Sequence, residues 1–258
     1  VRVTPKFDSV YSFDISKASG VQTSPAIAFG KDNYLAVWAD ARKGGSLIYA
    51  ARVSGDGKIL EPEGVQIGQG KGTYQSIPAV AFDGKRFLVV WASSSPNAIH
   101  GRFVTSDGKP GDTVRIYTTD GSLIGLEVAS DQSGFMATWI ELGTAYSVKG
   151  QTVGPDGKLV GKPVIVTESG QHSGVSICWG GVNYTIAYNS IEGQVRGRKY
   201  DAKGQPVSSA FNISSSTGMQ SSCDIIAGPK NRYLAVWAET RESQANISGN
   251  MDIPINKK

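Results

Sequence analysis

A seven-residue apolar segment carrying one aromatic mark recurs five times along this chain, and no other feature narrows the possible folds as much. Tyr34-Leu35-Ala36-Val37-Trp38-Ala39-Asp40 returns at residues 87–93, 135–141, 184–190 and 233–239. The marks Trp38, Trp91, Trp139, Tyr188 and Trp237 are spaced by 53, 48, 49 and 49 residues. A period near 49 lies in the range of propeller blades. Each copy keeps one internal order. A short apolar run comes first (24–29 or 77–82), then a tight turn, then the marked strand. That strand is apolar almost throughout, as expected when both faces are buried. A third strand has a small residue midway, at Ala50, Gly101, Gly150, Gly197 and Gly249. Turns follow at Asp56-Gly57, Asp107-Gly108, Asp156-Gly157 and Lys203-Gly204, where positive φ is required. A fourth strand, such as residues 114–117, ends the unit. Four short antiparallel strands per repeat make a β-meander, the unit of a propeller blade.

The fifth copy supplies three strands and then the chain stops. Residues 13–16 and 20–22 match residues 211–214 and 218–220, so the N-terminal segment is expected to pair with the strand at 246–252 and close the ring. Closure would leave no open sheet edge to template aggregation. The expected fold is all-β: one five-bladed β-propeller with blades at about 21–72, 73–121, 122–170, 171–218, and 219–258 plus 1–20. A tandem array of sandwiches fails on size, since the unit is about half an immunoglobulin domain.

Composition removes several classes. A chain of 258 residues, 40% hydrophobic and 19% charged, can bury a core and is not disordered. No apolar run approaches the roughly 18 to 20 residues of a membrane helix. The net charge of +4 comes without a Lys/Arg cluster, so no nucleic-acid partner is inferred. Two cysteines cannot build a disulfide framework or a four-cysteine zinc site. Cys178 and Cys223 fall at different levels of adjacent blades and are expected as buried free thiols.

The Trp-Ala-Asp and Trp-Ala-Glu marks resemble the repeats of bacterial secreted and surface proteins, and look like the WD-type blade signature without its Gly-His dipeptide. The resemblance covers nearly the whole chain and implies a secreted or cell-surface protein, with a periplasmic place as the variant. It implies no single activity. Similar five-bladed architecture occurs in tachylectin-type lectins and in several glycoside hydrolase families, an analogy of fold and not of site.

Three sets of equivalent positions are candidates for function. After the marked strand stand Asp40, Ser93, Glu141, Ser190 and Glu239. Each acid either pairs with its own arginine, as in Asp40-Ala41-Arg42 and Glu239-Thr240-Arg241, or forms a polar rim for sugar hydroxyls or a cation. Opening the blades are Gln22, Gln75, Leu123, His172 and Gln220. Their amides would bind hydroxyl-rich ligands or lock blade to blade. His172 has no second ligand beside it in sequence, which makes a poor metal site. On the innermost strands lie Ala26, Ala79, Glu127, Ser176 and Asp224. Two carboxylates facing a channel could act as acid and base on a glycoside, or hold calcium through oxygen ligands. They could equally sit in channel water. Trp179 lies outside the repeat pattern and is the candidate stacking platform, with Tyr74 and Tyr146 as weaker ones.

No phosphate loop, nucleophile elbow or defensible catalytic triad is present. The expectation is therefore a non-enzymatic recognition or scaffold domain, monomeric, with carbohydrate as the expected ligand class and no cofactor beyond a possible calcium. The alternative is a glycoside-active enzyme using Glu127 and Asp224 with a rim acid such as Glu141. A third reading is a protein-interaction module of a surface protein.

Overall fold

The computed structural model describes residues 12–70, 74–143, 146–167, 173–190, 192–215, 218–229, 232–241 and 244–251. They form five consecutive antiparallel sheets and no α-helix. The first sheet holds β1 (Gln22–Phe29), β2 (Asn33–Asp40), β3 (Leu47–Ser54) and β4 (Val65–Gln66), paired in that order. The second holds β5 (Gln75–Phe82), β6 (Arg86–Ser93), β7 (Asn97–Thr105) and β8 (Pro110–Thr119). The third holds β9 (Ser122–Ser130), β10 (Phe135–Leu142), β11 (Tyr146–Val153) and β12 (Leu159–Thr167). The fourth holds β13 (Val175–Trp179), β14 (Tyr184–Asn189), β15 (Val195–Tyr200) and β16 (Phe211–Asn212). The last has three strands, β17 (Met219–Ala227), β18 (Tyr233–Arg241) and β19 (Gln244–Met251). Five such meanders fit the blades of a five-bladed propeller.

The register follows the repeat. The residue before each aromatic mark pairs with the small residue of the third strand: Val37 with Ala50, Val90 with Gly101, Thr138 with Gly150, Ala187 with Gly197, Val236 with Gly249. Packing explains the small residue. A Cβ on Gly101 would stand 2.9 Å from Ile116 Cδ1, and one on Gly197 2.8 Å from the Phe211 ring. The notch is where the fourth strand lays its apolar side chain across the sheet.

The core lies between sheets. Leu35, Val37 and Ile48 of the first interlock with Val80, Phe87 and Trp91 of the second, and the next three junctions repeat this plan. Trp38, Trp91, Trp139 and Trp237 are all buried, as their place in the repeat implies. Cys178 and Cys223 are buried and free.

One expectation needs correcting. Residues 13–16 form no strand, and β19 pairs with β18 alone among the described residues. Inner strands pack in the sequence β1 on β5, β5 on β9, β9 on β13 and β13 on β17, with no comparable packing of β1 on β17. The N-terminal segment instead lies against the first sheet, where Ile15 packs with Trp38. A four-residue match specifies where Ile15 seats. It does not specify whether the two ends of the arc meet.

Candidate active site

The inner strands place the third set at one level. Ala26, Ala79, Glu127, Ser176 and Asp224 each pair with the residue before an aromatic mark. A bulge precedes this level in four blades, at Ser24 (φ 52°), Ile77 (φ 43°), Gly125 (φ 59°) and Ser222 (φ 51°). Bulges re-aim the side chains beside them and recur next to active sites. Holding a non-glycine residue at positive φ costs of order 1 kcal/mol or more and needs surrounding structure to maintain it.

Glu127 is exposed on β9, near enough to Asp224 for that charge to act on it. Solvent reaches its carboxyl, but protein crowds it on several sides. Desolvation, with the charge of Asp224 adding to it, raises its pKa from the ordinary 4.5 to about 7. Asp224 is held differently. Its Oδ1 accepts a 2.7 Å hydrogen bond from Ser176 Oγ and a 2.8 Å bond from the Ile225 N–H. Ser176 is buried and stands on the strand between the two acids. One carboxyl is thus biased to carry a proton while its neighbour accepts hydrogen bonds from two donors. The Ser176 bridge was not legible in sequence, because it joins blades 48 residues apart.

The rim acids do not join this pair. Asp40 is buried and accepts bonds from Trp38 Nε1 (2.9 Å) and from the Arg42 guanidinium (2.6 Å at the shortest). Glu239 is buried with Arg241 and Ser248. Glu141 binds Lys149 Nζ (2.9 Å) and Thr119 Oγ1 (2.9 Å). Burial alone would raise the pKa of Asp40 and Glu141, but these partners outweigh it and hold both below the ordinary carboxylate values. Asp40 and Glu239 serve their own blades, while Glu141 also ties its blade to Thr119 of the one before it. The fourth blade's counterpart, Ser190, is buried. In the second blade Ser93 Oγ meets His100 Nε2 at 3.0 Å, with the imidazole stacked on Trp91, a pair the sequence reading missed.

The glutamines join strands and blades. Gln75 Oε1 accepts from the Ile48 N–H of the preceding blade, and Gln220 Oε1 from that of Val195. Gln22 donates to the carbonyls of Ala18 and Gly20. His172 lies outside the described residues. Trp179 is half-buried with its ring 4.8 Å from that of Tyr184, so it is packed rather than presented as a platform. Tyr146 is half-buried, and Tyr74 is exposed. Among the described residues no three acidic, histidine or cysteine side chains converge as a metal-binding group.

Neither a protein-family model nor a curated protein matches the chain. Solved structures do. A thermostable family-43 glycoside hydrolase superposes with a TM-score of 0.51 at 10% identity, over 93% of this chain and 97% of that one. The GH43 endo-arabinanase from Bacillus licheniformis gives 0.50 at 9% identity, over 92% and 95%. A subtype N10 neuraminidase-like protein of A/little yellow-shouldered bat/Guatemala gives 0.52 at 6% identity, over 89% and 92%. Identities this low establish the fold, that of β-propeller glycoside hydrolases and neuraminidase-like proteins. They also overturn the expectation of a non-enzymatic recognition or scaffold domain. The similar folds are those of glycoside hydrolases, and the glycoside-active alternative is the better supported.

Proposed function

We propose that this protein is a glycoside-active enzyme that cleaves a carbohydrate at the inner-strand carboxylates. The observation that carries the reading is the Glu127 carboxyl, raised to about 7 beside Asp224. At neutral pH a large share of Glu127 holds its proton, as a general acid must. Glu127 donates that proton to the glycosidic oxygen as the bond breaks. Asp224, two inner strands further round with β13 between, activates the attacking water on the opposite face of the sugar. Ser176 fixes the orientation of Asp224. Glu141 has no part in this scheme, being bound to Lys149 and Thr119.

A polysaccharide substrate fits a secreted or cell-surface enzyme, and the repeats resemble those of bacterial proteins found there. Arabinan is the first polymer to assay, followed by a panel of 4-nitrophenyl glycosides. Glu127→Gln is expected to lower turnover by about 10²-fold or more with the fold intact by circular dichroism. Unchanged turnover in that variant would remove the proposal.

A further inference from the structure

Exposed large apolar side chains concentrate at the two ends of the arc. Ile247 on β19 is 80% exposed, whereas its counterparts Ile48, Ile99, Val148 and Val195 are each at 0% inside a junction with the following blade. Ile27 on β1 is 60% exposed, and its counterparts Val80, Val128, Ile177 and Ile225 are at most 9% exposed against the preceding blade. Among the described residues, the last sheet therefore presents an uncovered forward junction face, and the first sheet an uncovered backward one.

The two faces complement each other feature by feature. Phe87 packs its ring over Gly30 of the preceding blade, where a Cβ would lie 2.4 Å away, and the Tyr233 hydroxyl covers Gly180 in the same way. Gly228 is the counterpart of these glycines in the last sheet, and among the described residues only Arg232 O comes within 4 Å of its Cβ position. The ring that corresponds to Phe87 and Tyr233 is Tyr34, which is 39% exposed on the first sheet. A cavity of about 410 Å³ lies against Trp237, Glu239 and residues 248–250. In the first blade the equivalent space beside Trp38 is taken by Gly64 and β4. It is the seat of a fourth strand. Residues 13–16 repeat the sequence of residues 211–214, and Ile15 already packs on Trp38 as Ile213 packs with Trp237.

We propose that this chain binds a second copy of itself head to tail, the first sheet of one copy docking on the last sheet of the other. Ile27 packs on Ile247, and Tyr34 covers Gly228. Residues 13–16 of the incoming copy add to the β19 edge, with Phe13 opposite Gly249 as Phe211 is opposite Gly197. Gln22 caps the Ile247 N–H as Gln75 and Gln220 cap those of Ile48 and Val195. A second copy supplies every missing part of the junction with no other component. Within one chain, among the described residues, no packing of β1 on β17 comparable to the four junctions joins the two faces. The contact is heterologous, so it propagates unless the geometry closes it.

Sedimentation velocity across a range of protein concentrations tests this. Wild type is expected to assemble with rising concentration, whereas Ile27→Asp and Ile247→Asp are each expected to stay monomeric. Mixing the two variants restores one intact junction, so the mixture is expected to give a 1:1 dimer and nothing larger. Both positions are exposed in the single chain, and circular dichroism controls for folding. Three results would overturn the proposal. Wild type could remain a monomer with both faces protected from hydrogen exchange, which would mean closure within one chain. The mixture could stay monomeric. The variants could assemble as wild type does.

Discussion

Asp40 after a marked strand and Glu127 on an inner strand are both carboxylates, and their surroundings send them in opposite directions. Asp40 has a guanidinium and an indole N–H, so its ionised form is held and its pKa falls. Glu127 is desolvated by the protein around it, and the charge of Asp224 adds to this, so its pKa rises to about 7. Stability should respond. Between the ordinary 4.5 and about 7 the folded chain binds more protons at Glu127 than the unfolded chain does. The contribution of Glu127 is thus fully present below 4.5 and is lost as pH rises to about 7. Urea unfolding at pH 5 and at pH 7.5 should show wild type losing stability over that interval by more than Glu127→Gln loses. Parallel losses in the two proteins would place Glu127 in an ordinary aqueous setting. The acids were visible in sequence as breaks in an alanine position. Their states were not, because a pKa depends on what stands across a space that separates blades.

Among the elements, the turns after the first strand carry a constraint that no propensity scale records. Gly30 and Gly180 are glycines because a ring of the following blade lies on them. Gly30→Ala pushes a Cβ into the Phe87 ring, and overpacking of this kind costs about 1 to 3 kcal/mol. A lowered urea midpoint with an unchanged m-value is the expected result. Gly228→Ala, with no ring above it among the described residues, should cost far less. The same logic runs through the third strands, whose small residues were legible as a repeat. At Gly101 and Gly197 the reason is tertiary: Ile116 and Phe211 of the fourth strands lie over them. For the glutamines, Gln75 and Gln220 follow the plainer of the two sequence readings: each accepts a backbone N–H from the blade before it.

For the whole molecule, four junctions are built from the same positions, and among the described residues the two end faces carry those positions without a partner. If the end faces bind each other between copies, assembly stabilises the fold by mass action. The melting temperature of wild type should then rise with protein concentration, while that of Ile247→Asp stays constant. The amino-acid sequence alone determined the five-fold meander, the strand register, the buried tryptophans and the level at which Glu127 and Asp224 stand. These follow from local pattern: a period near 49 residues and apolar marks that recur in step. The tertiary structure alone decided that Ser176 bonds Asp224, that the pKa of Glu127 rises to about 7, that the rim acids are paired with neighbouring side chains, and that the two end faces lack a junction among the described residues. Each of those depends on distances between residues far apart in the chain, and a repeat specifies its own blade without specifying how the blades come round.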